Sequence, residues 1–244
     1  MIQSIKNIVK GICIAFKIDL TKNIKYDRLT SEIFKMYLSE HSNTIDVGCH
    51  KGEVMDEILK CSPSGMHFGF EPITPLYNNL TAKYTSHANV KISNVALSNV
   101  NEKAVFNYVT NAPAYSGLKK REYAVSNPKI EKIDVQCNLL DQMNINESID
   151  LIKIDVEGAE LLVLQGAVNF IKKNTPIIIL EFGKGASDFY GTSPELFFNF
   201  VDSELNMNIS TLEGFIKKNP PIEMPDFQNM YENNLEYYFV IHPS

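Results

Sequence analysis

From Asn43 onward, short and largely apolar runs alternate with helical stretches across brief turns. The runs are Thr44–Val47, Met66–Phe70, Val90–Leu97, Ile149–Val156 and Pro176–Phe182. They lack the in–out alternation of a strand with one wet face, so both of their faces need cover. The stretches between them, Glu53–Lys60, Pro75–Tyr84 and Ala159–Lys173, have helical spacing. Proline opens the second and lysines close the third, as the helix ends favour. Strands buried on both faces and joined by helices build a parallel sheet with right-handed crossovers and helices on both sides. Pro194–Leu205 reads as a further helix capped by Ser193, and Met207–Leu212 with Tyr237–His242 as a closing strand pair. Lys103–Val109 and Ile133–Asn138 read as strands flanking a polar connection, Thr110–Lys132. That connection holds Pro113, Gly117, Pro128 and the basic cluster Lys119, Lys120 and Arg121, and a loop so long inside a domain is functional or disordered.

The length of 244 residues suits one α/β domain over residues 41–244, preceded by an N-terminal helical segment over 1–40. The net charge of −6 argues against nucleic acid as a partner, because phosphate neutralisation calls for a basic footprint. Cys13, Cys49, Cys61 and Cys137 form no CxxC pair. That spacing makes neither a metal site nor a disulfide framework, and reduced thiols point to the cytoplasm. In Met1–Asp19, residues Ile2, Ile5, Ile8, Val9, Ile12 and Phe16 fall at helical spacing. The run is too short to cross a bilayer. It reads as an amphipathic helix that packs on the domain or on a partner subunit, a homodimer included. A weak peripheral membrane contact through residues 1–18 is the other reading, since its polar face carries lysines.

Chemistry concentrates at two places. Asp46-Val-Gly48-Cys-His-Lys-Gly52 follows a buried strand and opens a helix. Its glycines suit a tight turn that lets backbone approach a ligand. The spacing is GxxxG, without the middle glycine that the pyrophosphate of a dinucleotide uses. Glu71 ends the next strand, where a carboxylate can accept both hydroxyls of a ribose. Glycine turn and acid together read as a ribonucleoside site at the carboxyl ends of the strands. The second place is Leu151-Ile-Lys153-Ile-Asp155-Val-Glu157-Gly158-Ala-Glu160. A lysine inside a buried strand needs a partner. Asp155 shares its face by period two, and Glu181 at the next strand end is another candidate. Lys153 is read equally as part of a structural ion-pair network, whereas Asp155 and Glu157 at a strand end read as functional.

At these residues the chain resembles the FkbM family of methyltransferases. The resemblance runs from about Asn43 to Gly183. It rests on Ile45-Asp-Val-Gly-Cys-His-Lys-Gly52, Gly69-Phe-Glu-Pro72, Asn94-Val-Ala-Leu-Ser98, Ser116-Gly-Leu118, Ile149-Asp-Leu-Ile-Lys-Ile-Asp-Val-Glu-Gly-Ala-Glu160, Leu164-Gln-Gly-Ala167 and Leu180-Glu181. Cys49-His50 replaces the family's usual Ala-Asn, and Leu139-Leu140-Asp141 its Thr-Leu-Asp. The resemblance implies a class I, Rossmann-like α/β fold: a seven-stranded, mostly parallel sheet with the last strand antiparallel and helices on both faces. It implies S-adenosylmethionine as the methyl donor and commonly O-methylation of a sugar, glycan or secondary-metabolite hydroxyl. By position, Asp46, Gly48 and Gly52 cradle the methionine part of the donor, with His50 in the same turn. Glu71 holds the ribose, and Asn94, Val95 and Ala96 flank the adenine. Asp155 and Glu157 line the methyl-transfer site as catalytic residues, one of them a general base, and Asp155 also borders the cofactor. His50 is the alternative base, and a magnesium ion held by Asp155 and Glu157 is an alternative activator of the hydroxyl. Ala112–Lys132, with Tyr115 and Ser116, is expected to border the acceptor pocket. There Lys119, Lys120 and Arg121 either meet an acidic glycan or remain solvated. Asn219–Asn234, with Pro220, Pro221 and Pro225, reads as a loop over the site. Rival readings are a nicotinamide-dependent dehydrogenase, a methyltransferase of another small molecule or of nucleic acid, and a non-catalytic nucleoside-binding scaffold.

Overall fold

The structure is a computed structural model and describes residues 21–121, 123 and 125–243. The amphipathic segment 1–18 lies outside the described residues. Among the described residues no helix is long and apolar enough to cross a membrane.

Seven strands form the main sheet: β1 (Thr44–Val47), β2 (His67–Phe70), β3 (Val90–Ser93), β7 (Leu151–Ile154), β8 (Ile177–Glu181), β9 (Asn208–Thr211) and β10 (Tyr238–His242). Their order is β3-β2-β1-β7-β8-β10-β9. All run parallel except β10, which is antiparallel to both β8 and β9. This is the expected class I methyltransferase topology, last strand included. A second sheet of three strands, β4 (Ala96–Leu97), β5 (Glu102–Val109) and β6 (Ile130–Asn138), is ordered β4-β6-β5. Val90–Leu97 is therefore two strands. The chain leaves the main sheet at Asn94-Val95 and joins the small one, where Ala96 pairs with Cys137.

Period-two alternation sends the two faces of the main sheet to different helices. Ile45, Val47, Ile152, Ile154, Ile178 and Leu180 belong to the core shared with α4 (Glu160–Gln165), α5 (Val168–Asn174), α6 (Pro194–Asn199) and α8 (Met224–Glu232). Leu151, Ile179 and Val240 face α1 (Lys22–Tyr37), α2 (Glu53–Cys61) and α7 (Leu212–Ile216), meeting Tyr26, Leu29, Ile33, Phe34, Ile58 and Leu212. Helix α3 (Thr74–Lys83) packs Leu80 with Met55 of α2. Capping follows the side chains: Thr21 accepts from Ile24 N, Ser193 from Leu196 N and Thr211 from Gly214 N.

Two stretches differ from their sequence pattern. The single helix read over Ala159–Lys173 breaks at Gly166-Ala167, where the chain passes so close to Ser98 that a Cβ on Gly166 would lie 2.0 Å from Ser98 O. The second half restarts with Asp141 as its cap, whose carboxylate accepts from Phe170 N at 2.7 Å and Asn169 N at 3.1 Å. Asn219–Asn234 is not a loop over the site. It contains α8, with Pro225 in the first turn, and Phe227 packs into the aromatic core against Phe182 and Phe197.

Candidate active site

The carboxyl ends of β1, β2 and β7 open into a cavity of about 210 Å³. Gly48, His50, Glu71, Val95, Ala96, Asp155 and Glu157 line it, with Ile73, Leu76, Leu97 and Phe106 as apolar wall. Asp46, Gly52 and Asn94 lie behind that lining. The sequence-derived residues thus gather at one place, in two layers.

Gly48 has φ +85, and a Cβ there would lie 2.0 Å from Asp155 O. The glycine lets the β1 turn cross under the β7 turn, so it joins the two motifs as much as it bares backbone. Behind the turn, Asp46 is fully buried beside Lys153 in the β1–β7 register. Burial raises its pKa to about 6 despite the Lys153 charge, and its Oδ2 has no hydrogen-bond partner. His50 adopts φ +50, and its Nε2 is likewise buried without a partner. Non-glycine residues in this region cost energy and cluster where function requires them.

Glu71 is held by two backbone donors. Oε2 accepts from His50 N and Oε1 from Ile73 N, each at 2.9 Å. Each oxygen keeps a lone pair for a further donor. Burial pushes its pKa to about 7 against the pull of those bonds. The Asn94 side chain does not face the cavity. Its Nδ2 donates to Glu71 O at 2.9 Å and Pro72 O at 3.0 Å, bracing the turn that presents Glu71.

At the β7 end, Lys153 is 3% exposed, and its Nζ meets Asp155 Oδ2 at 3.3 Å. The partner inferred by period two is the one found. Glu157 has φ +60, and Arg121 donates through Nη2 to its Oε2. Burial, then the Asp155 charge, raise the Glu157 pKa well above the carboxylate range, opposed by Arg121. Glu160 accepts from Val156 N and Gly158 N at 3.3 and 3.1 Å, closing the turn beneath Asp155 and Glu157. Burial, with the Asp155 charge, likewise raises Glu181 to about 8.

The connection between β5 and β6 supplies the outer wall. Ser116 lines the cavity, and Tyr115 lies beneath the Arg121 guanidinium at 5.2 Å. The basic cluster divides: Lys119 and Lys120 are exposed, whereas Arg121 turns inward, its side chain 11% exposed. Sequence reasoning missed the Arg121–Glu157 pair, the closing role of Glu160 and a hydrogen bond from Tyr238 to Asp155. Of these, only Glu160 left a local signal, an acid in the first turn after a glycine.

The family model described as the methyltransferase FkbM domain matches residues 46–217, which contain all of these residues except Tyr238. The chain belongs to the FkbM methyltransferase family. No curated protein sequence matches it. Among solved structures, it is similar to methyltransferase FkbM from Methylobacillus flagellatus KT at 13% identity and a TM-score of 0.52, with 97% of this chain and 59% of that one covered. The chain thus spans less than two thirds of that relative, and at this identity the likeness speaks to fold. Looser likenesses include precorrin-6y C5,15-methyltransferase from Geobacter metallireducens GS-15 (13% identity, TM-score 0.42, covering 75% and 72%). Another is an rRNA methylase from Streptococcus thermophilus (8%, 0.44, 88% and 96%).

Proposed function

We propose that this chain is an S-adenosylmethionine-dependent methyltransferase that O-methylates a hydroxyl of a sugar, glycan or secondary metabolite. The observation that carries the reading is the state of Glu71: a carboxylate oriented by two backbone N–H groups at the wall of a cavity. A ribose diol is the group that suits such a bidentate acceptor. The residues fit the donor in other respects. Apolar Ile73, Leu76, Val95 and Ala96 suit an adenine face. Asp46 Oδ2 and His50 Nε2 are buried polar atoms in want of partners, and buried polar groups are ordinarily satisfied. Gly48 and Gly52 shape the turn beneath the methionine part.

When bound, S-adenosylmethionine supplies an electrophilic methyl group on a sulfonium. The chain supplies alignment, which can provide about 7–11 kcal/mol of a barrier, and a place for the acceptor's proton. Glu157 is the favoured base. Its raised proton affinity matches the task better than an ordinary carboxylate would. Asp155 is the anchor between donor and acceptor. Family membership supports the choice of a hydroxyl acceptor, and Pro113, Ala114, Ser116 and Leu118 of the β5–β6 connection line the cavity where it would sit.

Calorimetric titration with S-adenosylmethionine tests the donor site, with NAD and Glu71→Ala protein as controls. Micromolar binding that is absent for NAD and lost in Glu71→Ala is expected. A folded protein that binds NAD, or binds the donor equally well without Glu71, would overturn the reading. Transfer of labelled methyl to a panel of glycosides, lost in Glu157→Gln, tests the acceptor class and the base.

A further inference from the structure

Helix α1 reaches the candidate active site through two aromatic rings. Tyr26 of α1 is 3% exposed and lies against Tyr238 of β10, with centroids 5.0 Å apart and planes 26° from parallel. Tyr26 is itself fixed at its far end. Its hydroxyl donates to Glu236 and accepts from Tyr237 N at 3.3 Å, while Lys25 pairs with Glu236 at 3.2 Å. Tyr238 in turn donates its hydroxyl to Asp155 Oδ2 at 3.0 Å. That oxygen also meets Lys153 Nζ at 3.3 Å, and the same ammonium lies 4.9 Å from the Tyr238 ring centroid. One carboxylate oxygen is therefore held by a phenol and by an ammonium, and the ammonium rests on the phenol's ring.

This geometry exceeds what packing needs. Phenylalanine would fill the ring space against Tyr26, and a hydroxyl carried into the interior costs free energy unless it is bonded. The hydroxyl is aimed at a carboxylate, and hydrogen bonds to charged acceptors are the stronger kind. The surroundings give the fixation a purpose. Charge on Asp155 opposes ionisation of Asp46, Glu157, Glu160 and Glu181 around it, and its side chain is 35% exposed, so its direction depends on the contacts that hold it. Errors of about 1 Å at a reacting centre cost orders of magnitude in rate.

We propose that Tyr238 is a positioning residue for Asp155, and that Tyr26 holds Tyr238 in place, which makes helix α1 a support of the active site. The proposal deepens the methyl-transfer reading and rests on it for the role of Asp155. It adds β10 and α1, at opposite ends of the sequence, to the machinery.

The test uses the whole chain and two readouts that do not require an acceptor. The first is the NMR signal of the Tyr238 hydroxyl proton, assigned by its disappearance in Tyr238→Phe. It is expected downfield and protected from exchange, to move upfield in Asp155→Asn, and to lose protection in Tyr26→Leu. The second is affinity for S-adenosylmethionine. Tyr238→Phe and Asp155→Asn are each expected to weaken it about 5-fold, the loss of roughly one hydrogen bond. The double variant should be no weaker than the weaker single one, because coupled partners are not additive. A merely structural tyrosine would instead lower the thermal midpoint and leave affinity alone. Losses that multiply in the double variant, or a hydroxyl signal indifferent to Asp155→Asn, overturn the proposal. If Asp155→Asn does not fold, Tyr238→Phe and Tyr26→Leu decide the matter by giving, or failing to give, the same weakening with an intact fold. If the unaltered chain binds no donor, the methyl-transfer reading falls, and the hydroxyl signal alone decides whether Tyr238 holds Asp155.

Discussion

Glu160 is a buried acid whose cost to the fold one conservative substitution can measure. It is 1% exposed. Burial pushes its pKa from 4.5 to about 7, with backbone N–H bonds pulling the other way and Asp155 adding to the rise. The folded chain thus keeps a proton that the unfolded chain releases. The Glu160 contribution to stability is greatest below pH 4.5 and falls as pH rises through the window up to about 7, beyond which the loss is complete. At ~1.4 kcal/mol per pKa unit, the loss amounts to about 3 kcal/mol. Glu160→Gln keeps an oxygen for Val156 N and Gly158 N while removing the ionisation. Urea unfolding of both proteins from about pH 4.5 to 8 measures the difference. Groups that do not sense Glu160 cancel in it, including Glu71, which moves stability the same way, and His67, whose pKa burial lowers and which opposes it. Glu157 and Glu181, which the Glu160 charge helps to keep protonated, add to the difference in the same direction. The variant should gain on the unaltered chain by about 3 kcal/mol as pH rises across the window. A difference constant to within about 1 kcal/mol would refute the assignment of a buried, proton-retaining Glu160.

Further outcomes follow from the same geometry. Gly48→Ala places a methyl group 2.0 Å from Asp155 O at φ +85; the left-handed backbone alone costs ~1–2 kcal/mol, so a lowered thermal midpoint and loss of donor binding are expected together. Arg121→Ala removes the cation that opposes the rise in the Glu157 pKa; the acid limb of the transfer rate should move to higher pH, as a pH–rate profile would record. A cationic donor favours ionised carboxylates, so its affinity should tighten from about pH 6 to 8, with proton release seen as buffer-dependent binding enthalpy.

The elements legible in the sequence were those whose signals are local. Thr44–Val47 with Gly48, Met66–Phe70 with Glu71, and Leu151–Ile154 with Asp155 each combine an apolar run with a terminal residue, and a parallel sheet then brings the three ends together. Period two put Asp155 on the face of Lys153, with Glu181 as the other candidate, and Lys153 meets Asp155. What was not legible depends on contacts distant in sequence. Nothing near Arg121 says that it turns in toward Glu157 while Lys119 and Lys120 stay outside. Nothing near Tyr238 points to Asp155, since a closing strand reads only as a closing strand. The close approach of Gly166 to the Ser98 carbonyl is likewise a contact that no helical pattern contains. Pro225 misled for another reason: proline in a first helical turn and proline in a loop look alike until the apolar partners, here Phe227 and Tyr231, find a core.

Several unfavourable features of this fold gather around the candidate site, although left-handed backbone also occurs at Asn127, Thr175, Asn206, Lys218 and Asn234. His50 and Glu157 take left-handed backbone, Asp46 Oδ2 and His50 Nε2 lack partners, and Asp46, Glu71, Glu157, Glu160 and Glu181 hold protons more tightly than ordinary carboxylates. These lie at or just beyond the carboxyl ends of four neighbouring strands, whereas Phe182, Phe197, Phe227 and Phe239 pack the interior. Strain and unsatisfied polarity persist only where surrounding structure enforces them. Here Glu160 closes one such turn and Asn94 braces another. On the proposed reading, a donor bearing a sulfonium, an ammonium and a ribose diol offsets these costs on binding. The unliganded chain is then less stable than its core would allow, and ligand-induced stabilisation should follow the donor's affinity at each pH, growing as pH rises wherever protons leave with binding.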